Sequence, residues 1–287
     1  MDKWINPMQC AAEDVPFADE HYLFEPKIDG HRLLLYSGRD GTRLYDGSGQ
    51  PLNALYPEWT MGMEEGMILD GEAAAVGEDG RSICFETVMK RRRAAPAEAA
   101  GLAVRYPAQY IVFDILQYRG RDLRGLPLAK RKEILASIDF SGSPAIGVIP
   151  FMEEHGDLLY EEIRRRCWEG MVAKKLSSMY ISGRSEAWRK VIFWQETEVA
   201  ITGIRKRDRG WLASVPSPAG AVRPVGVIGD GARAADKMAF YRRSRSLAVG
   251  EDEHYVYLAP EIRATVKARG WTGSGQLRSP FFVRFVS

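Results

Sequence analysis

The stretch Phe24-Glu25-Pro26-Lys27-Ile28-Asp29-Gly30-His31-Arg32 decides how this chain is read. It runs directly into His31–Ser37, a leucine-rich segment with the character of a strand. One lysine is therefore enclosed by an acid, a glycine turn and an arginine. Protonated lysine is a poor nucleophile: from a reference pKa of ~10.4, about one side chain in a thousand is neutral near physiological pH. A neighbouring cation or partial desolvation lowers that value, and Arg32 is the nearest cation that supplies it. Alone, Lys-x-Asp-Gly is most often a solvent-exposed turn, so it gains meaning only beside other segments.

Four such segments follow. Leu69-Asp70-Gly71-Glu72-Ala73 places a glutamate after a glycine inside an apolar strand, within reach of a ribose hydroxyl or a metal. In Tyr110-Ile111-Val112-Phe113-Asp114-Ile115-Leu116, an aromatic suited to stacking on a base stands beside a carboxylate. In Trp168-Glu169-Gly170-Met171-Val172-Ala173-Lys174-Lys175, strand alternation puts Glu169, Met171 and Ala173 on one face and Gly170, Val172 and Lys174 on the other. Glu169 stands at the strand entrance, where a metal ligand belongs. Trp188-Arg189-Lys190-Val191-Ile192 sets another cation inside a strand, so lysines from two strands converge on phosphate. Each segment also has a structural reading, as a turn carboxylate, a core phenylalanine or a solvated strand edge.

Around these segments the chain reads as α+β with largely antiparallel sheets. Strand-like runs cover Met67–Val76, Tyr106–Leu116, Gly170–Lys175 and Trp188–Phe193, and helical patterns cover Phe85–Arg93, Leu128–Ser137 and Gly156–Trp168. Ala94–Ala103 reads as a surface connection, and Arg91–Arg93 and Arg164–Arg166 as solvated helix faces. From residue 196 the character changes to short strands separated by Gly, Pro and charged turns, with one helix over Ala232–Arg245, which fits a small β-barrel. The expected domains are residues 1–195 and 196–287. In a 287-residue chain of net charge +2, the last 92 residues hold 15 Lys/Arg against 9 Asp/Glu, a local balance of +6 that suits a polyanion. No run approaches the ~20 apolar residues that span a bilayer, and Met1-Asp2-Lys3-Trp4 does not open a secretory signal. Cys10, Cys84 and Cys167, odd in number and far apart, read as reduced thiols of a cytoplasmic protein.

Together and in this order, the motifs resemble those of covalent nucleotidyltransferases: ATP-dependent DNA ligases, RNA ligases and capping enzymes. Gly125-Leu126-Pro127-Leu128 with Arg131-Lys132, Val199-Ala200-Ile201-Thr202-Gly203, and Leu277-Arg278-Ser279-Pro280-Phe281 resemble segments of small bacterial or phage DNA ligases. The resemblance implies an adenylation domain followed by an OB-fold DNA-binding domain. It implies ATP, Mg²⁺ or Mn²⁺, nicked duplex DNA as substrate and a monomeric enzyme. Lys27 becomes the residue that carries AMP. Arg32 contacts the nucleotide or the nick phosphate, Glu72 the ribose, Phe113 the adenine, and Lys174 and Lys190 the phosphates. Glu169 supports the metal, and Glu25 lies where the family contacts adenine, largely through backbone atoms. Arg205, Lys206, Arg207 and Arg209, with Trp211 beside them, form the expected DNA patch.

Two departures stand out. Ile192 replaces the second lysine of the family's Lys-x-Lys, and Gly47 stands where ligases usually carry an arginine, with Arg43 or Arg39 as substitutes from a shifted register. An RNA ligase, a GTP-using capping enzyme and a nick-binding protein with a decayed site remain the alternative readings.

Overall fold

The computed structural model describes residues 4–59, 63–76, 83–217 and 220–286. The N-terminal Met1-Asp2-Lys3 lies outside them. The chain divides into two compact units, Met1–Ile192 and Phe193–Ser287.

The first unit runs β1 (Met8–Glu13), β2 (Asp19–Pro26), β3 (His31–Gly38), β4 (Gly41–Asp46), β5 (Ile68–Ala75), α1 (Phe85–Arg92), α2 (Ala99–Arg105), β6 (Ala108–Tyr118), β7 (Arg121–Asp122), α3 (Leu128–Ala136), β8 (Ile146–Val148), β9 (Met152–Glu154), α4 (Gly156–Arg166), β10 (Gly170–Lys175) and β11 (Gly183–Ile192). One sheet has the order β1-β11-β10-β2-β9, the other β4-β3-β5-β6-β7 with β8 added beside β6. Pairing is antiparallel except for β1–β11 and β6–β8.

Strand β3 shows why two sheets form. Leu33 and Leu35 enter a core shared with Leu69, Val112 and Val88. Leu34 and Tyr36 enter a different core with Met8 and Leu23 of the first sheet and Trp188 of β11. Both faces of β3 are buried, so its sequence is a continuous apolar run, not an alternation. The second of these cores is the layer between the sheets, and residues of β1, β2 and β11 meet those of β3, β5 and β6 across it.

Two expectations are corrected. Ala94–Ala103 is not a plain connection: it contains a 3₁₀ turn, Pro96–Glu98, and the start of α2. Alanine has the highest helix propensity, and Pro96 is pre-set for a first helical position. Arg91 is not solvated either. It is buried against Tyr56, its guanidinium is 4.6 Å from the ring centre, and it pairs with the Glu58 carboxylate. Arg164, Arg165 and Arg166 are exposed, and they pair with Glu161 and Glu162 on their own helix.

The second unit runs β12 (Gln195–Arg205), β13 (Trp211–Pro216), β14 (Val222–Ile228), α5 (Ala234–Ser244), β15 (Ala248–Glu251), β16 (Tyr255–Ala268) and β17 (Phe281–Phe285). Its sheet has the order β14-β13-β12-β16-β15, and β17 pairs with β16 farther along, on the same edge as β15. Asp230, just past β14, bridges in parallel to Phe281 of β17. The curled sheet encloses Val199, Ile201, Val225, Ile262 and Phe282. Trp211 belongs to this core, packed on Phe240, Phe282 and Phe285, and is not beside the basic turn as expected. Alternation decides its direction: it opens β13, where Trp211 and Ala213 face inward.

Cys10, Cys84 and Cys167 are free thiols. No helix among the described residues is long and apolar enough to cross a membrane.

Candidate active site

Lys27 sits on the short link that carries the chain from β2 in one sheet to β3 in the other. Its amide donates to the carbonyl of Gly170 at 2.8 Å, which fixes the link to the start of β10. The link must also lie flat on β5. A Cβ on Gly30 would fall 2.1 Å from the Ala73 carbonyl oxygen, so only glycine permits that approach. At Gly170 the backbone takes φ +146°, and a Cβ would meet the Val191 carbonyl oxygen at 2.1 Å. These two glycines bring Lys27 and Glu169 together: Lys27 Nζ donates to Glu169 Oε2 at 2.8 Å. Glu169 is nearly buried, while Lys27 keeps 25% of its side-chain surface.

Beside this pair lies a cavity between the sheets. Glu25, Lys27, Arg32, Glu72, Phe113 and Lys174 all line it, with Cys10 and Trp188. Six of the eight residues expected at the nucleotide site thus share one cavity, and Glu169 is bonded to one of them. Lys190 is not in the lining. It pairs with Val172, and its strand neighbour on the same face is the lining residue Trp188, so it stands one step along the same face. Ile192 follows it at the end of β11, opposite Gly170.

Each wall has its own chemistry. On the β3 side, Arg32 faces Glu72 in register, and its Nε and Nη2 donate to the Asp70 carboxylate. Nη2 also donates to the Met8 carbonyl at 3.1 Å. Tyr180 donates to Asp70 at 2.6 Å and accepts from the Met8 amide at 3.0 Å. Among the described residues, Arg32 Nη1 makes no hydrogen bond, which leaves donors for a ligand. Burial pushes the Glu72 carboxyl up to about 7, opposed by Lys27 and Arg32 and reinforced by Glu169 and Asp70. Gly47 packs on Arg32, its would-be Cβ 3.4 Å from the arginine Cβ. Neither Arg39, exposed and paired with Glu65, nor Arg43 lines the cavity.

On the β10 side, the buried Glu25 carboxylate is shared by two lysines. Lys174 lies at 2.7 Å on one oxygen and Lys132 of α3 on the other. The Lys174 ammonium is also 4.1 Å from the ring centres of both Phe113 and Trp188. Burial lowers the Lys174 pKa, and Glu25 acts against that shift. The Arg32 guanidinium lies 4.7 Å from the Phe113 ring. Phe113 is therefore bordered by cations, and a base stacking on it must displace one of them.

Sequence reasoning missed Lys132, Tyr180 and the role of Asp70. Signals for two of them were present. Leu128, Lys132 and Leu135 fall on one helical face, so a lysine interrupts an apolar stripe. Asp70 interrupts a strand buried on both sides, where a carboxylate demands a partner. Asp114 has the same explanation: Arg131 donates to both its oxygens at 2.8 Å, and neither side chain is exposed.

The expected DNA residues occupy the tight turn between β12 and β13. Arg205 is paired with Asp208 at 2.7 Å, and Lys206 with Glu251 at 2.9 Å. Arg207 and Arg209 are exposed. The Arg209 guanidinium lies 4.7 Å from the ring of Tyr241 in α5.

Comparison of the chain with known proteins points to one family. Residues 11–191 match the family described as ATP dependent DNA ligase domain. The chain belongs to that family. The ligase is 32% identical to the SPbeta prophage-derived DNA ligase-like protein LigB of Bacillus subtilis, over 97% of this chain and 98% of the relative. It is 28% identical to the multifunctional non-homologous end joining protein LigD of Mycobacterium bovis, over 90% of this chain but 35% of the relative. The ligase thus spans about a third of the length of that longer protein. Among solved structures it resembles a mycobacterial DNA ligase D complexed with ATP and MES, with TM-score 0.60 at 24% identity, covering 98% and 95% of the two chains. It also resembles a Lig E DNA ligase described as binding DNA with a minimal scaffold, with TM-score 0.66 at 17% identity, covering 99% and 100%. At these identities the structural likeness concerns the fold. The ligase uses ATP and acts on DNA, as its family does.

Proposed function

We propose that the ligase seals nicks between a 5′-phosphate and a 3′-hydroxyl in duplex DNA, through AMP carried on Lys27. The observation that carries this reading is Lys27, partly exposed and held by Glu169 at the edge of a cavity lined by Arg32, Glu72, Phe113 and Lys174. The Lys27 Nζ lone pair forms a P–N bond to the α-phosphorus of ATP, the bond to the pyrophosphate oxygen breaks, and Nζ loses a proton. AMP then passes to the 5′-phosphate, freeing Lys27. Attack of the 3′-hydroxyl on that activated phosphate forms the phosphodiester and releases AMP. Each step is displacement at phosphorus, so the protein's work is alignment and charge neutralisation.

Within that scheme Glu72 accepts from the ribose hydroxyls, and the free Nη1 of Arg32 contacts the nucleotide or the nick phosphate. Phe113 borders the base. Glu25, its carboxylate held by two lysines, meets adenine through its backbone. Lys174 and Lys190 line the phosphate path. Mg²⁺ or Mn²⁺ takes few protein ligands and completes its shell with phosphate and water. The donor set fits that habit: Glu169 is close enough to Glu72 to help raise the Glu72 carboxyl's affinity for protons, and Glu169 already binds a cation, Lys27. When bound, the metal supplies charge neutralisation at the phosphates.

The first unit, read to residue 195, is the adenylation domain. The second, 196–287, is an OB-fold that binds DNA in the neighbourhood of the basic turn that carries Arg205, Lys206, Arg207 and Arg209. The parallel Asp230–Phe281 bridge supports the OB reading, because it joins β14 to β17 where the barrel closes. The enzyme works as a monomer.

Intact-protein mass spectrometry after incubation with ATP or GTP and Mg²⁺ tests the proposal. An AMP-sized adduct from ATP alone, absent in Lys27→Ala and stripped by pyrophosphate, is expected. A GMP adduct redirects the reading to capping chemistry. If neither nucleotide nor pyrophosphate changes the mass, the chain is a nick-binding protein.

A further inference from the structure

Helix α5 is held to the second unit by very little. Of its eleven residues only Phe240 and Ser244 are buried. The rest of the helix, with Arg245 at its end, carries Lys237, Arg242, Arg243 and Arg245 against a single acid, Asp236. That acid is occupied by Arg233, which donates to it at 3.1 Å. Lys237, Arg242 and Arg245 are exposed and form no ion pair among the described residues. Exposed surfaces normally intersperse both signs of charge. Arg243 donates to the Glu261 carbonyl at 3.1 Å; the remaining cations, against one neutralised acid and on a helix side that packs on nothing among the described residues of its unit, form a surface suited to an anion.

The stripe is organised as well as basic. Lys237, Tyr241 and Arg245 follow one another at intervals of four and lie along one line of the helix. The Arg209 guanidinium, from the β12–β13 turn, covers the Tyr241 ring at 4.7 Å, and the Tyr241 hydroxyl donates to the Arg209 carbonyl at 3.2 Å. Arg209 takes φ 64°, a left-handed conformation unfavourable for a side-chain-bearing residue, and these two interactions hold it there. The turn is thereby tied to the helix, and Arg209 extends the stripe. The two cations at the other end of the turn behave differently: Arg205 and Lys206 are each matched by a carboxylate.

We propose that the exposed side of α5, extended by Arg209, is the surface on which the second unit binds the phosphate backbone of duplex DNA, and that Arg205 and Lys206 contribute little. The inference rests on the reading of this chain as a nick-sealing enzyme. An unpaired cation releases a condensed counterion from DNA when it meets a phosphate; one already paired must first break its own salt bridge.

The test is binding of the full chain to a labelled nicked duplex whose 3′ end lacks the reacting hydroxyl, measured as a function of salt. Removing one cation that neutralises a phosphate lowers the salt slope by roughly 0.9, so the triple variant Lys237→Gln, Arg242→Gln, Arg245→Gln should lose about two units or more of slope and bind on the order of tenfold more weakly at moderate salt. Arg205→Gln with Lys206→Gln should change the slope by less than a single neutralised phosphate does. Arg242→Lys with Arg245→Lys keeps the charge and should retain the slope, which separates missing charge from a misfolded helix. A triple variant that binds with the wild-type slope, or a larger loss from the Arg205/Lys206 pair, overturns the assignment. Lysyl-AMP formation by the wild-type chain reports on the underlying reading independently: if it fails, the enzymatic reading falls, and if it succeeds while the slopes do not move, only the surface does.

Discussion

Asp70 of β5 and Asp114 of β6 stand directly opposite each other in register, both fully buried and each held by an arginine. The two pairs differ in what else the arginine does. Arg131 is wholly buried, and its other donors go to the carbonyls of Leu126 at 2.6 Å and Ser178 at 3.0 Å. Every direction around it is closed by protein. Arg32 keeps 22% of its side-chain surface, lines the cavity, and has Nη1 to spare. The same chemistry on neighbouring strands thus ties the fold together at one position and holds out a guanidinium at the other. Pair geometry alone does not tell structural from functional; the unspent donors do.

The largest expected effect is at the closed pair. Arg131→Ala strands the Asp114 carboxylate in a dry site and should cost about 3–5 kcal/mol of stability. Adding Asp114→Leu should recover much of that loss, because the stranded charge is then gone. Arg32→Ala should cost less, roughly 1–3 kcal/mol, since Asp70 retains the Tyr180 hydroxyl and the site opens to water. It should nevertheless reduce adenylylation on the order of a hundredfold. Urea unfolding and single-turnover adduct formation measure both. Equal stability losses at the two arginines would erase the distinction.

The next effect is set by pH on the open side. The folded Glu72 carboxyl titrates at about 7, and its ordinary value is 4.5. Between these values the folded chain holds a proton that the unfolded chain has released. Stability from this group is therefore full below about pH 4.5, falls as pH rises, and is lost above about 7. The total is about 3 kcal/mol at ~1.4 kcal/mol per unit. Glu72→Gln should flatten that slope. Because a protonated carboxyl accepts fewer hydrogen bonds, the KM for ATP should also fall as pH rises through 7 in the wild type and not in Glu72→Gln. A wild-type slope that survives in Glu72→Gln assigns the titration elsewhere.

How far the sequence reached follows the same division. That Lys27, Arg32, Glu72, Phe113 and Lys174 gather around one cavity was legible because their motifs are short and local, and because Gly30 and Gly170 mark where the backbone must come close. The mixed helix-and-sheet class was legible from apolar periodicity, but β1, β2 and β4 were not, since Gln9, Glu20 and Arg43 dilute their pattern. The full length of β16 was not legible, because Pro260 and Glu261 interrupt its pattern; there the register shifts and the strand bulges. Long-range charge partners were hidden in principle. Nothing local in Lys132 names Glu25, 107 positions away, and nothing in Arg91 names Glu58. The pairing of Lys206 with Glu251 was hidden in the same way, whereas the Arg205–Asp208 pair, three residues apart, lay within local reach of the sequence.

The smallest effect probes the support behind the open pair. The Tyr180 hydroxyl joins the Met8 amide to Asp70, and its ring meets Trp188 edge-on at 5.8 Å. Tyr180→Phe keeps the ring and removes one hydrogen bond to a carboxylate that still has Arg32, so about 1–2 kcal/mol of stability should go. The consequence for function is one of positioning. With one fewer donor on Asp70, Arg32 is the carboxylate's remaining side-chain partner and should be drawn further from the cavity. If Arg32 meets the nucleotide in its ground state, the KM for ATP should rise with the adenylylation rate at saturation little changed. If it acts at the transition state, the saturated rate should fall instead. A variant that loses stability but shifts neither constant would make Asp70 and Tyr180 part of the closed side after all, and the boundary between the two regions would then run through Arg32 itself.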